Sequence, residues 1–346
     1  MNNSLDTHSF NFLATTLCDP DISIDEIATK ILTTSVQYAQ SAAKNDRTTL
    51  GDTPGIESFY WSLWKPLVDL AEENETIHER IIALLLALKS SNVGSDWKLF
   101  SKHGGWRELP VLRVAICDYW NVLDLPYDVT EEPALSVLEG DAPSTNSELA
   151  HIAKARTEYL NMHHFLSRLW KETGIDFSDY GLTIMEHIVK TCAGGGRQWE
   201  GHLADMSTGA EDSMEMDFTT DTDRLVHVDS EDEENDEDED FAPADENEDD
   251  NEEENMNHPT LNLAVEAASI WINCCAEELY QILYQRSGFS NAVPVNWLAW
   301  KNAFKNVANN SEGRARIMTI AKSVVDKMEN IERYRLDGLY VEPISV

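Results

Sequence analysis

Residues 261–284 read LNLAVEAASIWINCCAEELYQILY, and the period of this stretch decides the fold class. Wound as a helix, it brings Leu261, Ala264, Ala268, Trp271, Ile272, Cys275, Leu279 and Ile282 within roughly 100° of one another, with Asn262, Glu266, Asn273 and Glu277 gathered opposite. The spacing predicts an amphipathic helix with Cys275 packed on its apolar side.

Working outward, the same period recurs. Ile56, Phe59, Tyr60, Leu63, Trp64, Leu67, Val68 and Ala71 follow the i, i+3, i+4, i+7 rule, with Glu57, Lys65, Asp69 and Glu72 on the other side and Pro66 predicting a kink. Stripes also run through Ile152, Ala155, Tyr159, Met162, Leu166 and Leu169, through Trp297, Trp300, Phe304 and Val307, and through Ile317, Ile320, Val324, Met328 and Ile331. Capping patterns, Ser23 with Glu26 and Thr76 with Glu79, open two further helices. The second of these carries residues 81–88, apolar on every face, and so reads as central. No alternating run bounded by turns predicts a strand. The expected fold is all-α, a globular bundle of about nine or ten helices interrupted by a long disordered acidic insert.

The insert is marked by charge. From 225 to 285 there is no Lys or Arg, and residues 225–254 hold 18 Asp and Glu. Such a stretch buries too little apolar surface to offset its ordering entropy and self-repulsion. The expected organisation is an N-terminal helical part at 1–193, a disordered linker at 194–257, a C-terminal helical part at 258–335 packing on the first as one composite domain, and a tail at 336–346. Lengthening a surface connection from about six to about 47 residues costs only about 2 kcal/mol, so the two helical parts can share a core.

The chain carries a formal charge of −37, and 24 acidic residues against Arg224 alone in 211–254 account for −23 of it. The remainder is therefore acidic too. A surface of that sign lacks the Lys and Arg clusters that displace counterions from phosphate backbones, which argues against nucleic acid and anionic membranes as partners. The longest apolar run has eight residues where a span needs about 20, and the first twelve residues show no basic-then-apolar leader pattern. Five cysteines, odd in number and scattered, read as reduced thiols of an intracellular protein, and the lack of a basic import signal favours cytoplasm over nucleus.

The order of aromatic landmarks resembles a family of fungal proteins known as domain of unknown function 3632. The resemblance rests on Phe59-Tyr60-Trp61-Ser62-Leu63-Trp64, on Trp106-Arg107-Glu108-Leu109-Pro110 followed by Asp118-Tyr119-Trp120-Asn121, on Asn161 to Leu169 leading to Asp176-Phe177-Ser178-Asp179-Tyr180, and on Ala268-Ser269-Ile270-Trp271-Ile272 with Ala276-Glu277-Glu278-Leu279-Tyr280. It continues through Trp297-Leu298-Ala299-Trp300-Lys301 with Phe304 to Met328–Glu332, covering roughly residues 56–335. It implies an all-helical intracellular protein of fungal type, and no activity or functional residue. The acidic insert departs in length and charge from the family core.

Several constellations bear on chemistry. Glu75/His78 and Glu148/His151 have the Glu-x-x-His spacing of di-iron bundles, but both fall at predicted helix N-termini, where acidic residues favour the macrodipole and face water. His164 projects almost opposite the apolar stripe of its helix and His163 lies at the flank, so both are expected at the boundary or exposed. Cys192 precedes Gly194-Gly195-Gly196 with only Arg197 near to activate it, and the triple glycine, following a helix and lacking a Gly-Lys-Ser ending, is a hinge rather than a phosphate cradle. Cys274 and Cys275 are vicinal thiols of a kind that binds soft metals when further ligands are near; packing is the favoured role. Trp61/Trp64 and Trp297/Trp300 could line a pocket, although Trp at this spacing favours core packing. Residues 236–240 alternate like a calcium loop but lack its Gly and its Glu at the twelfth position. No catalytic residue, cofactor or metal is assigned.

The remaining candidate site is the acidic tract itself, Asp229, Glu231, Asp232, Glu233, Glu234, Asp236, Glu237, Asp238, Glu239, Asp240, Asp245, Glu246, Glu248, Asp249, Asp250, Glu252, Glu253 and Glu254. It is expected to solubilise the chain or to dock basic proteins, histone-like or ribosomal, by long-range attraction. Ser230, followed by Glu231-Asp232-Glu233, fits the preference of acid-directed kinases. The sequence therefore points to a non-enzymatic helical interaction protein, with a helical small-molecule binder or enzyme using a Trp-lined pocket as the alternative.

Overall fold

Two of the expected helix starts show how local chemistry sets the elements. Ser23 Oγ accepts from the Glu26 amide at 3.1 Å, closing the cap of a helix that begins at Ile24. At the other, Asn74 takes the place expected of Thr76: its Oδ1 accepts from the Thr76 amide at 3.0 Å and from the Thr76 hydroxyl at 2.7 Å. With that hydroxyl engaged, a 3-10 turn, Glu75–Ile77, precedes the helix proper.

The computed structural model describes residues 10, 12–45, 53, 55–99, 102–103, 105–120, 147–192, 261–288, 293–309 and 315–336. Among them are ten α-helices: α1 (Phe12–Cys18), α2 (Ile24–Asn45), α3 (Ile56–Glu73), α4 (His78–Lys89), α5 (Leu112–Tyr119), α6 (Ser147–Thr173), α7 (Ser178–Cys192), α8 (Leu261–Arg286), α9 (Val295–Asn309) and α10 (Ala315–Leu336). The fold is all-α. One antiparallel ladder of two residues per strand, Lys98–Leu99 on Lys102–His103, is too short to have left an alternation in the sequence.

The periodic stripes become the core. All eight apolar residues of the α3 stripe are buried, and α3 is one element from Ile56 to Glu73 with Pro66 inside it. In α4 the expectation of burial on every face fails at Leu86, which is 39% exposed. Helices α2 and α4 pack together, and α3 packs on α5 around a nest of Phe59, Tyr60, Trp64 and Trp106. The two indoles find partners: Trp64 Nε1 donates to Pro110 O at 2.8 Å, and Trp106 Nε1 to Ser35 Oγ at 3.2 Å. Just after Trp106 the chain turns tightly, with Leu109 at φ 43° and Val111 at φ 67°. Left-handed backbone is costly for a β-branched residue and persists only where its surroundings fix it, which the Trp64 bond to Pro110 does.

Helices α8, α9 and α10 pack on one another, α7 packs on α8 and α9, and α6 touches both groups, lying on α3 and α4 with one side and on α8 with the other. One continuous apolar core runs from Phe10 to Ile331. The described residues before and after the acidic segment accordingly form one compact unit.

Candidate functional site

A polar seam lies buried where α6 meets α8. Arg156 pairs with Glu266, Trp271 Nε1 donates to His163 Nδ1 at 2.8 Å, Cys275 Sγ donates to Ser167 O at 3.1 Å, and Lys171 Nζ donates to Cys274 O at 2.5 Å. His163 and Ser167 are one turn apart on α6, as Trp271 and Cys275 are on α8, so these two pairings share an offset of 108 residues and the helices run parallel. Parallel helices need a return element between them, and α7 supplies it.

Glu266 was expected on a polar face and is 7% exposed. Its helix is flanked by α6, α7 and α10, so even its polar side meets protein. The carboxylate survives burial because Arg156 of α6 pairs with it and Arg316 of α10 lies 3.5 Å away.

His163 corrects the sequence reading most sharply. Expected at a boundary, it is fully buried, because α6 is covered by α3 and α4 as well as by α8. Tyr159, Trp120 and Trp271 meet its ring nearly edge-on at centroid distances of 4.6, 5.2 and 6.3 Å. Since Nδ1 accepts from Trp271, the neutral ring carries its proton on Nε2, which has no hydrogen-bond partner among the described residues. Desolvation holds this imidazole down to about 3, with the neighbouring His164 adding to the effect. It is a structural base, neutral throughout the physiological range.

His78, at the helix N-terminus where the sequence places it, is likewise fully buried: its Nε2 bonds the Ala71 carbonyl at 2.7 Å, its ring packs on Phe165, and burial lowers its affinity for a proton. His164 is half-buried with Nδ1 3.9 Å from Glu75 Oε1, and His151 is exposed. Among the described residues, no three His, Cys, Asp or Glu side chains converge as a metal site would require.

The thiols differ. Cys192 is half-buried, and burial pushes its thiol up, away from the reactive range. Cys275 is fully buried as the apolar stripe predicted, and Cys274 beside it is half-buried. The adjacent Cys275 thiol is the largest influence lowering the Cys274 thiol, which is held at about 6; Ser167 and Lys171 act in the same direction against the cost of burial. The same pairing, with burial behind it, drives Cys275 upward.

The paired tryptophans do not converge on a common pocket. Trp64 belongs to the Tyr60–Trp106 nest, Trp61 stands against Tyr119, and Trp297 packs with Trp300 and with Tyr280 of α8. Trp297 Nε1 also donates to Glu332 Oε1 at 3.0 Å, beside the buried Lys301–Glu332 ion pair. The acidic tract from Asp229 to Glu254, Ser230 within it, Glu148's side chain, the triple glycine and Arg197 lie outside what the structure describes. The seam's pairings escaped sequence reasoning. Its one legible trace was the matching four-residue spacing of His163/Ser167 and Trp271/Cys275.

No described helix is long and apolar enough to cross a membrane. A family model described as "Protein of unknown function (DUF3632)" matches residues 64–304. No curated protein and no solved structure matches the chain.

Proposed function

The chain belongs to the DUF3632 family, and on that premise we propose that it is a non-enzymatic helical interaction protein whose acidic segment docks basic proteins. The observation that carries this reading is the charge of residues 225–254, where 18 of 30 side chains are acidic and none is Lys or Arg. Charge at that density attracts a cationic partner over distances on the order of the 8 Å screening length and raises the rate of encounter. Of the tryptophans that could line a pocket, Trp64, Trp297 and Trp300 are buried in packing and the half-buried Trp61 stands against Tyr119. Phosphorylation of Ser230 would add about −1.5 to −2 charges to the tract and strengthen the same attraction. The scattered reduced cysteines and the missing basic import signal favour the cytoplasm as its place of work.

The test is affinity purification from cell extract with the intact chain and with a form lacking residues 211–256. Basic proteins should come down with the intact chain alone and leave it by about 0.5 M NaCl, since attraction across solvent is screened. Equal recovery by both forms would sink the proposal and move the function to the helical body. A second reading, a small-molecule binder, has one observation in its favour, the unpartnered Nε2 of His163 inside its aromatic surround. A ligand that hydrogen-bonds there would raise the melting temperature of the wild type but not of His163→Gln.

A further inference from the structure

Helix α8 departs from helical geometry at Cys275, where φ is −126° and ψ 26°. Two lysines from neighbouring helices attend this break: Lys327 Nζ of α10 donates to Asn273 O at 2.6 Å, and Lys171 Nζ of α6 to Cys274 O at 2.5 Å. Lys171 thereby sets a positive charge near a half-buried thiol whose neighbour in sequence is a second thiol. The charged and titratable groups acting on Cys274 are Lys171 of α6 and Cys275 and Glu278 of α8, while Lys327 sits on the carbonyl of the preceding residue.

We propose that Cys274 is a modification site, a nucleophilic thiol at the α8 break that reacts with hydroperoxides, and that Cys275 is its resolving partner. The Cys274 sulfur attacks the terminal peroxide oxygen. An S–O bond forms as the O–O bond breaks, the sulfur is oxidised to sulfenic acid, and the departing oxyanion takes a proton from water to leave as an alcohol, or as water when the oxidant is hydrogen peroxide. Cys275 then gives up its proton, its sulfur bonds to that of Cys274, and the sulfenic oxygen leaves as water. Adjacent Cα atoms are about 3.8 Å apart, closer than the usual disulfide span of about 4.4–6.8 Å, so a regular helix resists such a ring. At this position the backbone is already out of the helix. The strain that remains makes the bond easy to reduce, so the modification is reversible.

Closing the bond has a consequence for the seam. Cys275 loses the S–H that it donates to Ser167 O, and a fully buried side chain is drawn off α6. Oxidation should therefore loosen the contact between the helices on either side of the acidic segment.

The test uses the reduced full-length protein. Hydrogen peroxide in small excess should remove two hydrogens from the peptide that contains Cys274 and Cys275, as read by mass spectrometry, and dithiothreitol should restore them. In Cys275→Ser the same treatment should instead leave a dimedone-reactive sulfenic acid on Cys274. Independently of any variant, iodoacetamide at pH 6 should label Cys274 roughly tenfold faster than an ordinary thiol, its thiolate fraction outweighing the lower nucleophilicity of an acidic thiol. If Cys192 or the exposed Cys18 and Cys117 label first, or if peroxide leaves the Cys274–Cys275 peptide unchanged while oxidising those others, the proposal is wrong.

Discussion

A histidine in a dry core makes stability depend on pH in one direction only. His163 carries no proton when folded until the pH nears 3, whereas in an unfolded chain it takes one up near 6.5. Above the unfolded value its contribution is complete. As the pH falls below about 6.5 the unfolded state binds a proton that the folded state refuses, and stability drops by about 1.4 kcal/mol per pH unit until the folded value is reached. His78, depressed chiefly by burial, adds a slope of the same sign. Urea unfolding at pH 7.5, 6.5 and 5.5 should show the decline in the wild type. His163→Gln keeps an acceptor for the Trp271 N–H but cannot titrate, so its curve should be flatter by about that amount per unit. An unchanged slope in the variant would mean that the imidazole is solvated in solution. The side chains on either side of this one show why sequence missed it. Tyr159, Met162 and Leu166 define a stripe from which His163 is displaced, and a single stripe is the pattern of a helix with one covered side. Because α6 is covered on two, a flank position becomes interior.

Among elements, one close approach sits where α7 meets α8. A Cβ added at Gly181 would stand 2.9 Å from Trp271 Cδ2 and Cε3, and Trp271 is fully buried and tied to His163, so it has nowhere to move. In an exposed helix Gly→Ala is a gain of about 1 kcal/mol. Here the sign reverses: overpacking of this kind costs about 1–3 kcal/mol, so Gly181→Ala should lower the urea midpoint despite the better helix former. A rise would mean that α7 can slide away from the indole. What the sequence revealed of the elements followed the same physics. The α3 stripe was legible because one side of that helix is covered, and every member of it is buried. The polar face of α8 misled at Glu266 because two arginines from other helices, distant in sequence, make its burial tolerable. The break at Cys275 left no Gly or Pro to announce it; the lysines that attend it come from α6 and α10.

At the scale of the whole molecule, the contact between α6 and α8 joins helices on opposite sides of the acidic segment. The pairings that hold it are side chain to side chain or side chain to carbonyl within the two helices. Removing residues 211–256 leaves some 22 residues between Cys192 and Leu261, enough to reach about 70 Å when extended, so no closure constraint is violated. Shortening the connection lowers loop-closure entropy by about 1 kcal/mol, and taking out 24 acidic residues relieves repulsion within a chain of charge −37. Both effects favour the folded body. The deletion should therefore unfold cooperatively at a midpoint equal to or slightly above that of the intact chain, with the difference shrinking as salt screens the charge. Calorimetry of the two forms at about 0.05 and 0.5 M NaCl checks this. A large fall in midpoint on deletion would show that the acidic segment contributes contacts to the body, in which case it could not serve as a freely presented docking arm.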